Sequence, residues 1–93
     1  MQISEFQQLM RDTYAEQDNA RGVPATLAWL LEELGELSQA VRKGTPAQQA
    51  HEAGDVLAWL ASLANQIDVD LEAAAMRFAE GCPKCSELPC ICP

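Results

Sequence analysis

The chain has 93 residues, 48% of them hydrophobic, and a formal net charge of −8 at pH 7. This length allows one small domain with a modest core, so association into a homodimer or a homotetramer is expected. Because only six lysines and arginines stand against 14 acidic residues, the composition argues against a nucleic-acid-binding protein, which needs clustered cations for the phosphate backbone.

The first predicted element is an amphipathic helix from Ile3 to Asp18, with Ser4 as a candidate N-cap. Its larger apolar side chains recur at helical spacing and are expected to pack in the core: Ile3, Phe6, Met10 and Tyr14. Tyr14 lies near the end of this helix, where it could instead reach a pocket.

The segment from Asn19 to Thr26 is predicted to be a loop, because asparagine, glycine and proline end helices and turn chains. Arg21 lies in this segment. An arginine beside a binding site can hold an anionic group through charge-assisted hydrogen bonds. The alternative for Arg21 is an ordinary solvated charge.

A second helix is predicted from about Ala25 to Arg42. Gly35 interrupts it, and a glycine in a helix interior costs roughly 1 kcal/mol relative to alanine. Its presence suggests the close approach of another helix or a ligand, with helix packing as the expected cause. The apolar side chains of this helix form one broad face: Leu27, Leu30, Leu31, Leu34, Leu37 and Val41.

A short turn is predicted between the second and third helices. Gly44 suits a helix C-cap, Thr45 an N-cap and Pro46 the first turn of a helix, so the third helix is expected from Pro46 to about Gln66. A connection this short predicts that the two helices are antiparallel neighbours. A short fourth helix is predicted from Leu71 to Glu80, with Asp70 as its N-cap.

The chain ends in a cysteine-rich tail, in which C-x-x-C is followed by C-x-C. No signal-peptide core and no apolar run of membrane length is present, so a cytoplasmic protein is expected. In that reducing compartment the spacing favours a metal over disulfides, and four thiolates suit Zn²⁺. The gap between the pairs is shorter than in standard zinc ribbons, so a free or disulfide-bonded tail is the alternative. The candidate ligands are Cys82, Cys85, Cys90 and Cys92.

Two acidic pairs on consecutive helices are the main functional signal. Glu33 and Glu36 share one helix face, and so do Glu52 and Asp55, because residues three apart lie on the same side of a helix. Both pairs lie on the apolar side, where an unpaired charge is costly, so a cation is expected between them. Four oxygen ligands suit Mg²⁺ or Mn²⁺ better than zinc. The alternative is that these acids lie on a solvent-exposed helix face and have no specific role. His51 points about 100° away from Glu52 and is expected to be a surface histidine.

The pattern Glu32-Glu33-x-x-Glu36, then 15 residues, then Glu52-x-x-Asp55 resembles the EExxE…ExxD signature of the MazG-like nucleoside triphosphate pyrophosphohydrolases, in the all-α NTP pyrophosphatase superfamily. The resemblance covers residues 5 to 80 and implies an all-α bundle of about four helices. It also implies Mg-dependent hydrolysis of a nucleoside triphosphate to the monophosphate and pyrophosphate. Residues 1–80 are then the expected catalytic domain and residues 81–93 the tail.

Further side chains have expected roles in such a site. The candidate general base or ligand of a second ion is Glu32, or a carboxylate of the acidic pairs, Glu33 or Glu36, that is not fully used in coordination. The resemblance implies that Asn65 contacts the substrate. Arg21 and Lys43 could bind the outer phosphates, and the rings of Trp29 and Trp59 could stack on a base or pack in the core. Three alternatives remain open, namely a dUTP enzyme, a phosphoribosyl-ATP enzyme and a non-catalytic metal-binding helical module.

Overall fold

A computed structural model describes all 93 residues and contains four α-helices and no strand. The helices are α1 (Ile3–Arg21), α2 (Val23–Lys43), α3 (Pro46–Gln66) and α4 (Leu71–Ala75), and a 3₁₀ turn (Met76–Phe78) follows α4. The predicted all-α architecture is confirmed. None of the helices has the combination of length and hydropathy that crossing a membrane requires.

The predicted loop between the first two helices is wrong, because a single residue joins them. Gly22 ends α1 and begins α2, with a positive φ of 86° that lets the chain change direction in one step. Its N–H donates to the carbonyl of Asp18 at 3.0 Å, and its own carbonyl accepts from the N–H of Thr26 at 3.1 Å. The helix N-terminus tolerates Pro24 because the first-turn N–H groups have no partner within the helix. The N-cap of α1 is Gln2 rather than Ser4.

The predicted turn between α2 and α3 is confirmed in detail. Thr45 caps α3, since its hydroxyl accepts from the N–H of Gln48 at 3.2 Å and its own N–H donates to the Gln48 side chain at 2.8 Å. Gly44 is required sterically, because a Cβ there would lie 2.7 Å from the carbonyl oxygen of Ala40. The helices α2 and α3 are therefore packed side by side in an antiparallel hairpin.

The fourth helix is shorter than predicted. Asp70 is its N-cap, as expected, and accepts from the N–H of Ala73 at 3.1 Å. Regular α-helix ends at Ala75, and the chain tightens into the 3₁₀ turn instead of continuing to Glu80. No side chain of α4 is buried, so tertiary packing adds little to a segment too short to be stable by itself.

The core is thin. Only eight of the 93 residues are buried, and half of these are polar. The predicted core positions Ile3 and Tyr14 are 46% and 43% exposed, which corrects the expectation for the apolar face of α1. The total accessible surface is 6585 Å², whereas a folded monomer of this mass exposes about 5,300 Å².

The broad apolar face predicted for α2 divides into two sides. Leu30 is buried and Leu37 is half-buried, on the same side as Glu33. A second row is exposed, and we call it the outer stripe: Leu27, Leu31, Leu34 and Val41. Apart from the adjoining backbone of α2, no atom lies within 4 Å of the position that a Cβ would take at Gly35, so packing within the chain does not explain that glycine, contrary to the expectation.

Hydrogen bonds from one buried glutamine hold α1 against the end of α3. The Gln7 amide nitrogen donates to the Asn65 side chain at 3.0 Å and to the carbonyl of Val69 at 2.7 Å. The Gln7 amide oxygen accepts from the N–H of Leu71 at 2.9 Å. This side chain therefore links α1, α3 and the start of α4.

We expect Gln7→Ala to lower the free energy of unfolding by about 2–4 kcal/mol, because three hydrogen bonds are lost and two partly buried backbone groups are left without this partner. Gln8→Ala is the matched control, since the Gln8 amide bonds only to the exposed Asp12; it should change stability by less than about 0.5 kcal/mol. Urea denaturation followed by circular dichroism measures both. Equal effects of the two substitutions would show that Gln7 does not link the helices in this way.

Candidate metal and nucleotide site

The packing of α2 on α3 brings the two predicted acidic pairs together. Glu33 and Glu36 of α2 each place a carboxylate oxygen within 4.8 Å of an oxygen of Glu52 and of each other. Glu52 also belongs to a second group with His51 and Asp55, defined by the same distance. The four acids are therefore contiguous, with Glu52 at the centre, and we call them the acidic cluster.

The carboxylates of the acidic cluster repel one another and are partly removed from water, so their charged forms are disfavoured. Burial raises the pKa of Glu33 to about 7, with further contributions from Glu36, Asp55 and Glu52. Burial, and then the charge of Glu36, also raises the pKa of Glu52. One oxygen of Glu33 and one of Glu52 are buried without any hydrogen-bond partner. Buried, unpartnered carboxylate oxygens from facing helices match the preference of Mg²⁺ and Mn²⁺ for hard oxygen ligands.

His51 contacts the edge of this cluster. Its side chain is 71% exposed, as expected for a surface histidine, yet its Nε2 atom lies 3.3 Å from an oxygen of Asp55. The sequence interpretation compared His51 only with its neighbour Glu52 and missed the spacing of four residues to Asp55, which places both on one helix face. His51 can therefore form a hydrogen bond with the carboxylate of Asp55 when no cation is bound to that carboxylate.

A groove of about 200 Å³ opens between α1 and α3 beside Asp55. The sequence analysis did not place three of its residues at the site, namely Asp18, Ala58 and Ser62, and it placed Tyr14 there only as a minor option. For Asp18, the spacing of three residues to Arg21 was the available signal. The groove gives the acidic cluster an adjoining space with both aromatic and polar walls.

Arg21 lies in this groove, at the last position of α1. Its Nη1 atom donates to Asp18 at 2.9 Å and to the hydroxyl of Thr26 at 3.1 Å, and its guanidinium carbon lies 4.7 Å from the ring centroid of Trp59. Trp59 in turn stacks on Trp29, with centroids 6.0 Å apart and ring planes 16° apart. Arg21 is thus held in one orientation beside Asp55, with part of its hydrogen-bonding capacity already used.

Lys43 lies on the other side of the acidic cluster. It lines a separate groove of about 430 Å³ together with Glu36 and Glu52, near the α2–α3 turn. The chain therefore places one cationic side chain on each side of the carboxylates, Arg21 beside Asp55 and Lys43 beside Glu36.

Two predicted residues lie outside the cluster. Glu32 is exposed on α2 and belongs to neither group of potential ligands. Asn65 follows Asp55 by ten residues on α3, which corresponds to about 15 Å along the helix. The Asn65 side-chain oxygen already accepts from Gln7 at 3.0 Å and from Arg11 at 3.1 Å.

The cysteine tail forms a second, separate group of potential ligands. One sulfur atom from each of the four cysteines lies within 4.8 Å of the others. Hydrogen bonds from the N–H groups of Ile91 and Glu87 lower the pKa of Cys85 to about 6, and N–H groups of Cys85 and Lys84 lower the pKa of Cys82. Hydrogen bonds with the other thiols raise the pKa of Cys92 to about 11.

Comparison with known protein families gives one match. The family model described as the MazG nucleotide pyrophosphohydrolase domain matches residues 21–85. The matched segment begins at Arg21, contains the whole acidic cluster and ends within the cysteine tail. No curated protein matches the chain.

Without divalent cations, we expect the melting temperature to fall as the pH rises from about 5 to about 7. Between 4.5 and about 7 the folded protein keeps on Glu33 a proton that the unfolded chain has lost, so stability decreases as the pH rises through this window. Mg²⁺ at 100 times its dissociation constant should add about 2.7 kcal/mol, or about 10 °C or more in melting temperature.

The matched variants are Glu33→Gln and Glu16→Gln, because Glu16 is an exposed acid of α1 outside the cluster. Glu33→Gln should flatten the pH dependence and remove most of the Mg²⁺ effect, while Glu16→Gln should keep both. Thermal melts followed by circular dichroism, with EDTA or with Mg²⁺, provide the measurement. Equal stabilisation of the two variants by Mg²⁺ would contradict a metal site at Glu33.

Proposed function

The chain belongs to the MazG nucleotide pyrophosphohydrolase family, and from its acidic cluster we propose that it hydrolyses nucleoside triphosphates to the monophosphate and pyrophosphate. The observation that carries this proposal is the meeting of Glu33, Glu36 and Glu52 across two helices, with two buried oxygens lacking any donor. In the reaction, water adds to phosphorus, one phosphoanhydride bond breaks, and one proton is released.

The four acids of the cluster are the proposed ligands of Mg²⁺ or Mn²⁺: Glu33, Glu36, Glu52 and Asp55. A bound divalent cation would supply positive charge against the phosphate oxygens and increase the acidity of water. The protein's own part is to hold the carboxylates in place through the α2–α3 hairpin. Without such a cation, a protein of net charge −8 would repel a triphosphate.

A carboxylate of the chain must accept the proton of the attacking water. Glu33 is one candidate where its carboxylate is not fully used in coordination, because one of its oxygens has no hydrogen-bond partner in the protein. Glu32 is the second candidate, because its exposed carboxylate is adjacent in sequence and is not used in the cluster. Glu32 could also hold a second ion.

The grooves beside the cluster supply the proposed substrate contacts. Arg21 and Lys43 lie on opposite sides of the carboxylates, where each can bind phosphate oxygens. The Trp59 ring, supported by Trp29, offers an aromatic wall for a nucleotide base. Asn65 is proposed as a substrate contact on the resemblance alone, since it lies about 15 Å along α3 from Asp55.

We also propose that two copies associate through the outer stripe of α2, as a homodimer or within a homotetramer. The exposed surface exceeds that of a typical monomer of this mass by about 1,300 Å². A standard interface buries about 800 Å² on each partner. Leu31 and Val41 are 60% and 62% exposed, and Leu57 and Leu60 of α3 add further apolar surface.

The activity test is pyrophosphate release from a panel of canonical and modified nucleoside triphosphates, dUTP and phosphoribosyl-ATP. Release should require Mg²⁺ or Mn²⁺ and stop with EDTA. Glu36→Gln should reduce kcat/KM by about 100-fold or more, because removing a partner of the metal or of the transition-state charge costs at least 2.7 kcal/mol. Preference for modified nucleotides would indicate a role in cleaning the cytoplasmic nucleotide pool.

Glu16→Gln is again the control and should retain wild-type rates. A chain that turns over none of these substrates, while still gaining stability from Mg²⁺, would be a non-catalytic metal-binding module. Turnover that persists unchanged in Glu36→Gln would remove the acidic cluster from the mechanism.

For the association, we expect wild-type protein to sediment as a dimer or tetramer and Leu31→Arg to sediment as a monomer, because a charge in the apolar interface is costly. Leu9→Arg makes the same change at an exposed position on α1 and should leave the mass unchanged. Sedimentation equilibrium distinguishes these states. A monomeric wild-type protein would refute the proposed interface.

A further inference from the structure

The four sulfur atoms of the tail have the spacing of a tetrahedral metal site. The Sγ atoms of Cys82 and Cys92 are 3.7 Å apart, and those of Cys85 and Cys90 are 3.9 Å apart. Four sulfurs at about 2.3 Å from a central Zn²⁺ are about 3.8 Å from one another. A disulfide would need about 2.05 Å. Each cysteine of the C-x-x-C pair thus faces one cysteine of the C-x-C pair at a distance that suits a shared ion.

The backbone explains how so short a gap can bring the two pairs together. The N–H of Cys82 donates to the carbonyl of Glu87 at 3.1 Å, and the N–H of Ser86 donates to the carbonyl of Cys82 at 2.7 Å. Gly81 permits this close return, because it has a φ of 97° and a Cβ there would lie 2.6 Å from the Glu87 carbonyl oxygen. The tail therefore folds back on itself directly after the C-x-x-C pair.

No apolar packing holds the tail in this shape. Leu88 is 86% exposed and Ile91 is 71% exposed, and no residue of the tail is buried. Two or three backbone hydrogen bonds in contact with water add little net stability, so a loop of this size needs a covalent or metal link to remain folded. The N–H of Cys92 also donates to the sulfur of Cys90 at 3.3 Å, which is a further contact within the tail.

We propose that Cys82, Cys85, Cys90 and Cys92 bind one Zn²⁺ in a closed structural site that folds residues 81–93 into a small unit of their own. Four soft thiolates select zinc, while the all-oxygen acidic cluster selects Mg²⁺ or Mn²⁺. A site with four protein ligands has no open position for a substrate, so its role is structural. The proposal does not depend on the pyrophosphohydrolase activity.

The full chain, purified with a thiol reductant and without chelators, should contain one zinc per chain by elemental analysis. After zinc removal, titration with Co²⁺ should produce the thiolate-to-cobalt charge-transfer band and the visible bands of a tetrahedral site. A thiol-reactive reagent should modify the cysteines quickly only after a chelator is added. Excess Mg²⁺ should neither displace the cobalt nor change its spectrum.

The variants are Cys92→Ser, which removes one ligand, and Lys84→Ala, which changes the tail without removing a thiol. Cys92→Ser should weaken Co²⁺ binding by about 100-fold or more and alter the charge-transfer band, while the helical circular dichroism signal stays the same. Lys84→Ala should behave as wild type. A reduced protein without zinc and without cobalt bands would overturn the proposal. Two disulfides by mass spectrometry, or a cobalt spectrum unaffected by Cys92→Ser, would do so equally.

Discussion

The crowding of like charges between α2 and α3 is the constraint on which the rest of the structure depends. The antiparallel packing that buries Leu30 and Ala61 also places the carboxylates of Glu33 and Glu52 against each other. Moving these helices apart would relieve the repulsion between the carboxylates but would expose the apolar side chains that the hairpin buries. The hairpin therefore keeps mutually repelling carboxylates at its centre. Such a destabilising arrangement is typical of a functional site and unusual for residues that contribute only to folding.

A small chain with a repulsive cluster of carboxylates between two helices needs stabilising interactions elsewhere. Polar side chains provide many of them. Gln7 links α1 to α3 and α4. Asp18, Arg21 and Thr26 form a hydrogen-bonded cluster at the α1–α2 junction, in which Asp18 and Thr26 are buried and Arg21 is half-buried. Hydrogen bonds of this kind are directional, so they fix α1 more strictly than a few leucines would. They also leave much of the apolar surface free, on the outer stripe and on α3, where another chain can use it.

The sequence predicted the parts of the fold that depend on local chemistry. Thr45 and Asp70 are caps because their side chains satisfy free N–H groups, and the bounds of α3 follow from such signals. The acidic pairs could be placed on facing helices from spacing and the short turn alone, although their metal and their roles stay predictions. The Gly22 junction was missed, because asparagine, glycine and proline together are equally typical of a loop. Only the positive φ of Gly22 distinguishes a one-residue junction from a loop, and the sequence does not give that angle. Asp18 was missed at the site, and Tyr14 was expected mainly in the core, because their positions depend on how α1 crosses α3, which spacing within α1 does not reveal.

The connections between the three long helices contain almost no residues: Gly22 alone joins α1 to α2, and Gly44 and Thr45 join α2 to α3. Many enzymes diversify by lengthening the loops around a fixed scaffold, and this hairpin has no such loop beside its acidic cluster. New substrate preferences would have to arise by exchanging side chains on helix surfaces, each of which also contributes to packing. Adaptation in this chain is therefore coupled to stability.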